Sequence, residues 1–242
     1  MRFRMLPGAT VFAMTLLPAV LWAGSFSTSH LPAGQVGDKP SIIFAPFTIT
    51  QSNSMTLVSG TAIACGDGFS TLNNNWLRRF DLNGAYGITT AFTVSSVDYG
   101  VEEAIGSAGG SQPLTMNLYS IPNAAPLLYS NLTLIGTASF MVADQTMTNL
   151  NQAVSGTVLD PNSSDLVVEI SSPATGSIFF PGANDLGETA PNYIASGDCG
   201  VSDPIPTAAV GFPNSNLVMA VHGDTPVPAS ARTWAHLKAT YR

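Results

Sequence analysis

Asp98, Glu102 and Glu103 form the densest acidic cluster in the chain. Glycoside hydrolysis needs two carboxyl groups across a cleft, one as acid and one as base or nucleophile. A glycan-cleaving site would therefore be sought in this cluster. The competing reading is structural. In the run from Trp76 to Leu82, Arg78 shares a face with Trp76, Phe80 and Leu82, while Arg79 points the other way with Leu77 and Asp81. If the Trp76 face is core, Arg78 is drawn inward and must meet a carboxylate. Asp98 or Glu102 is expected to supply it, and this ion pair is preferred to substrate contact.

Two further groups have chemical potential. His222 ends an apolar run beside Gly223-Asp224, while His30 and His236 lie near the two ends of the chain. His222 reads as a strand-end residue; as a triad base it would need a serine that nothing in the sequence marks. Asp67 in Cys65-Gly-Asp-Gly and Asp198 in Ser196-Gly-Asp-Cys would be drawn together by a Cys65–Cys199 bond. With carbonyls from the glycine-rich turns they would form an oxygen shell for calcium, the one cofactor the sequence points to. Ordinary Gly-Asp turn chemistry is the preferred alternative. There is no His-Glu-x-x-His helix, Gly-x-Ser-x-Gly elbow or phosphate-binding glycine loop in the sequence, and no catalytic residue is assigned.

Aromatic side chains offer a different function. Trp76, Tyr86, Tyr99, Tyr119, Tyr129 and Tyr193 could stack on sugar rings, although most aromatics of a β domain fill its core. Tyr86, in Asn83-Gly-Ala-Tyr-Gly, and Tyr193, in Pro191-Asn-Tyr, fall on expected loops and are the candidate ligand-binding residues.

The elements that must position these groups begin with a leader. Arg2 and Arg4 precede an apolar run from Val11 to Trp22, and Ala23 stands before Gly24. That order reads as a signal peptide over residues 1–23, too short for a convincing membrane span. No membrane span is expected after its removal, and the protein is expected to be secreted or on the cell surface. In that compartment Cys65 and Cys199 read as one disulfide, which chain entropy values at roughly 4–5 kcal/mol. All fifteen acidic residues lie after the leader, against Lys39, Arg78, Arg79, Arg232, Lys238 and Arg242. So acidic a body argues against nucleic-acid binding.

Short β-rich runs recur between Gly, Pro, Asn and Ser clusters: 41–50, 76–82, 88–101, 114–121, 132–142, 166–170, 177–180 and 217–222. This pattern predicts an all-β fold, an antiparallel β-sandwich of jelly-roll or Greek-key type, over residues 24–225. Asp224-Thr-Pro-Val-Pro then resembles a stiff linker, and residues 226–242 form a basic, aromatic tail with Trp234, Leu237 and Tyr241.

The run Asn73-Asn-Asn-Trp-Leu-Arg-Arg-Phe-Asp-Leu, with Val97-Asp-Tyr-Gly-Val-Glu-Glu-Ala, Leu114-Thr-Met-Asn-Leu-Tyr and Ile178-Phe-Phe-Pro-Gly-Ala-Asn-Asp-Leu-Gly, resembles β-sandwich modules of bacterial secreted proteins. Asp198-Cys-Gly belongs to the same likeness, which covers most of the chain after the leader. The ending Trp234-Ala-His-Leu-Lys-Ala-Thr-Tyr-Arg is similar to short tails of exported bacterial proteins. The resemblance implies an extracellular jelly-roll-like accessory module, often found beside proteases or adhesion repeats, and transfers no site residue. The expected function is a non-catalytic binding or adhesion module, with a polysaccharide or cell-surface component as partner. The alternatives are a self-assembling subunit of a surface layer or filament, and the glycan-cleaving enzyme.

Overall fold

A computed structural model describes residues 25–29, 47–107 and 109–225 of the chain. The leader and the basic tail expected from the sequence lie outside the described residues. The described chain forms β1 (Ser25–Thr28), β2 (Phe47–Thr50), β3 (Ile63–Gly66), β4 (Asn74–Phe80), β5 (Phe92–Ile105), β6 (Ser111–Pro122), β7 (Thr133–Ala143) and β8 (Gln145–Val158). It continues through β9 (Ser164–Ser172), β10 (Ile178–Pro181), β11 (Ala183–Asn184), β12 (Asn192–Ser196), β13 (Val201–Pro206), β14 (Asn216–Leu217) and β15 (Met219–Asp224). Among the described residues no helix is long and apolar enough to cross a membrane.

Two antiparallel sheets face each other. One runs β13-β12-β4-β9-β6-β7. The other is centred on β5, which pairs with β8 along one side and with β15 and then β10 along the other; β2 lies outside β15. The pairs β6·β7, β5·β8 and β4·β9 are nested one inside the next and alternate between the sheets. This is the rolled ribbon of a jelly roll, so the expected all-β sandwich is the observed fold.

Period-2 alternation explains the layers. Trp76 and Phe80 of β4, Leu114, Met116 and Leu118 of β6, and Leu166, Val168 and Ile170 of β9 meet Phe92, Val94, Val97, Tyr99 and Val101 of β5, with Met219 and Val221 of β15. Trp76 crosses to Phe179 edge-on at 5.5 Å, and its Nε1 donates to the Ile63 carbonyl at 2.8 Å. A buried indole thus keeps both its area and its hydrogen bond. Cys65 and Cys199 are bonded, with Cα atoms 6.0 Å apart.

The outer face of the six-stranded sheet carries a small second core. Leu127 and the chain around it fold back over Leu77, Ile121 and Val167, with Tyr119, Leu132 and Tyr193 packed alongside. Beneath this flap, buried Glu169 accepts hydrogen bonds from Asn117 Nδ2 (2.9 Å), Tyr119 OH (3.1 Å) and Tyr129 OH (2.9 Å).

Candidate functional site

A turn and a strand entry build a cleft of about 340 Å³ lined by Gln51, Arg79, Asp81, Tyr86, Asp165 and Tyr193, together with Ala85, Thr189, Ala190 and Pro191. After β4 the chain reverses through Asn83-Gly84. Gly84 N–H donates to Asp81 Oδ1 at 2.7 Å, and a Cβ at Gly84 would stand 2.2 Å from Asp81 Oδ2. A side chain at Gly84 would displace the Asp81 carboxylate that holds the turn, and the turn delivers Tyr86 to the cleft. The Tyr86 ring rests on Phe80, and its hydroxyl donates to the Thr50 carbonyl at 2.9 Å.

The opposite wall is Thr189–Tyr193. Thr189 N–H donates to the Gln51 carbonyl at 2.8 Å, which ties this segment to the end of β2. Tyr193 lies within β12, in register with Leu77 of β4 and Pro206 of β13. The expected loop position is thereby corrected: Pro191 ends the preceding loop, and Asn192 already pairs with Arg78. Burial pushes both phenols, Tyr86 and Tyr193, above the ordinary tyrosine value.

The floor is an ion pair between neighbouring strands. Arg79 Nε donates to Asp165 Oδ2 at 2.7 Å, and its terminal nitrogens donate to the carbonyls of Ala125 (2.7 Å), Asn123 (2.6 Å) and Pro122 (3.2 Å). The guanidinium so fastens the flap beside the cleft. Buried Asp165 keeps Oδ1 without a hydrogen-bond partner. Burial raises its carboxyl pKa, against the downward pull of Arg79. Chemically the cleft offers two half-buried aromatic rings, the exposed carboxylate of Asp81, and a cation already engaged by four acceptors, Asp165 among them. That set suits a ligand with many hydroxyl donors and a flat apolar face.

The other expected site residues lie elsewhere. Arg78 is buried and paired as expected, but its partner is Glu188: Arg78 NH2 meets Glu188 Oε2 at 3.0 Å. Arg78 also reaches Gln51 Oε1 (3.3 Å), the Ala190 carbonyl (3.2 Å) and, through Nε, the Leu217 carbonyl (2.8 Å). The expected partners cannot serve because β5 belongs to the opposing sheet. Val97, Tyr99 and Val101 fill its core face, so Asp98 and Glu102 project outward from it.

On that outer face the acidic cluster divides. Asp98 Oδ2 stands 2.6 Å from His222 Nε2, and its Oδ1 accepts from Asn151 Nδ2 at 2.7 Å. Glu102 accepts from Gly60 N–H (2.6 Å), Ala62 N–H (2.9 Å) and the Ser29 hydroxyl. Asp98, Glu102 and Glu103 are all buried and none lines the cleft. His222 lies inside β15, and its Nδ1 is 2.9 Å from the hydroxyl of Thr48 on β2. The Thr48–His222–Asp98 chain crosses three adjacent strands and clamps the edge of the sheet.

Asp67 serves its own turn, whereas Asp198 ties its turn to Asn73, 125 positions away. Asp67 Oδ1 accepts from the N–H groups of Phe69 (2.9 Å) and Ser70 (2.8 Å), which hold its pKa below the usual value. Asp198 Oδ2 accepts from Asn73 N–H and Nδ2, both at 2.9 Å. Among the described residues no group of three or more His, Cys, Asp or Glu side chains is disposed to hold a metal ion. The Asp67 contacts are those of a local turn, and the Asp198 contacts join two distant segments.

Sequence reasoning identified both tyrosines but not Arg79, Asp165 or Gln51 as cleft residues. Arg79 was legible as outward-facing; Asp165, at the start of an apolar strand, carries no such signal. The chain matches no protein-family model and no curated protein.

Proposed function

We propose that the protein is a non-catalytic, exported carbohydrate-binding module whose ligand enters the Tyr86–Tyr193 cleft. One observation carries this reading: two tyrosines separated by more than a hundred residues of sequence line the same recess, beside the exposed carboxylate of Asp81. Volumes of about 300–1,000 Å³ are typical of small-ligand pockets. The leader, the disulfide and the resemblance to secreted β-sandwich modules support a place outside the cytoplasm, at a cell surface or in the medium.

The test is capture on insoluble and arrayed polysaccharides. The oxidised chain should be retained selectively on one glycan class, equally with Ca²⁺ or chelator, because Asp67 is engaged by its turn and Asp198 by Asn73. Tyr86→Ala and Tyr193→Ala should each weaken retention at least about tenfold, equivalent to ~1.4 kcal/mol, with the far-UV circular dichroism unchanged. Retention that survives both substitutions, or no retention on any glycan, refutes the assignment.

A further inference from the structure

The two longest outer edges of the sandwich lie side by side. β7 ends one sheet and β8 the other, and Asp144 alone joins them. Neither Thr133–Ala143 nor Gln145–Val158 contains a charged residue, a histidine or a proline. Exposed edges are usually guarded by charge, proline, brevity or bulges, because their unpaired backbone groups can template another strand. The far side of the sandwich has such guards: β13 is six residues long with Asp203, Pro204 and Pro206, and β2 is four residues long.

Charge selects what can dock there. The described residues hold every acidic residue except Asp38, against Arg78 and Arg79 as their only Lys or Arg, and both arginines are paired internally. The exposed charged side chains of the described residues are therefore acidic, Asp67, Asp81, Asp160, Asp185 and Asp203 among them, and two copies meeting at these would meet like charge. At β7 they meet none, and Met141 stands 59% exposed. β8 is the poorer template, since Met147 adopts a left-handed backbone (φ 49°) that interrupts its pairing line. β7 and β8 also close on each other at one end, where a Cβ on Gly136 would lie 2.1 Å from the Ser155 carbonyl oxygen. The usable stretch is Thr137–Ala143.

We propose that this stretch is a homotypic docking edge, on which β7 of a second copy adds antiparallel about a twofold axis. The inference goes beyond carbohydrate capture and does not depend on it. A twofold pairing uses the same edge on both partners and closes. The prolines of β13 block a further strand on the opposite edge, so the product is a dimer rather than a filament.

Sedimentation of the oxidised chain over a concentration series tests this. The expected result is a monomer–dimer equilibrium with no larger species. Thr137→Lys with Ser139→Lys places like charges across the axis and should raise the dissociation constant at least tenfold, most strongly at low salt. Leu159→Lys, at an 81% exposed residue beyond the end of β8, is the control and should leave it unchanged. If the double variant misfolds, Met141→Lys alone serves the same purpose. A wild-type chain that stays monomeric at the highest concentration overturns the proposal. So do a dimer indifferent to the lysines and a series that grows beyond two copies.

Discussion

Gly182 donates its N–H to the carbonyl of Gly100 at 2.7 Å, and the two backbones are too close to admit a side chain at either residue. A Cβ on Gly100 would lie 2.7 Å from the Gly182 Cα and 2.6 Å from Leu57 Cδ2. Leu57, fully buried, thus caps a bare patch on the outer face of the β5 sheet. Its loop is held further by Val58 N–H on the Ala183 carbonyl and by Glu102.

Gly100→Ala should therefore destabilise the fold by about 1–3 kcal/mol, the usual cost of overpacking a close contact. Gly197→Ala, with nothing within 4 Å of the added carbon, should be nearly silent. Urea unfolding of the two variants makes the comparison, and equal midpoints would refute the packing argument.

Arg78 is wholly buried, and burial lowers its pKa against the pull of Glu188. Removing the carboxylate leaves a buried cation uncompensated, so Glu188→Gln should cost about 3 kcal/mol. Arg78→Lys should also destabilise, because an ammonium cannot reach Leu217, Gln51, Ala190 and Glu188 together. Denaturant midpoints of both variants check this.

Glu102 gives a pH signature. Burial pushes its carboxyl above the ordinary 4.5, while hydrogen bonds from Ser29, Gly60 and Ala62 pull it down less strongly. The folded chain thus holds this proton more tightly than the unfolded chain. Its contribution to stability is greatest below pH 4.5 and declines as pH rises through the raised value. Relative to Glu102→Gln, wild type should gain stability as pH falls from 7 towards 4.5. A pH-independent difference between the two would contradict the shift.

Arg79 supports the cleft without needing to touch a ligand. Arg79→Lys keeps the charge but loses the fork that joins Asp165 to the flap carbonyls at Pro122, Asn123 and Ala125. Glycan retention should weaken several-fold while the fold persists, and hydrogen exchange in residues 122–127 should accelerate. Unchanged exchange would show that the guanidinium does not fasten the flap.

The fold class was legible because β4, β6 and β9 carry apolar alternation. β8 was not anticipated, although it is fourteen residues long. Its sequence is dominated by Gln, Thr and Asn, because an edge strand buries little beyond Val154 and Val158 and is held largely by pairing with β5. Tyr86 was readable from its turn. Glu188 as the partner of Arg78 was not: the two residues are 110 positions apart, and they meet through the pairing of β12 with β4 and the bridge of Glu188 to Ser52. Outward Asp98 was misassigned for a related reason, since spacing along a strand reveals two faces but not which one meets a neighbouring sheet.

The nested ribbon also orders events in time. On loop length the β6·β7 hairpin is expected to close first, β5·β8 around it next, and β4·β9, which encloses both, last. Cys65 and Cys199 lie outside the outermost of these pairs and are separated by 134 positions. Native geometry brings their thiols together once the outermost turn of the roll is in place, so disappearance of free thiol during refolding is expected to track completion of the sandwich rather than its start.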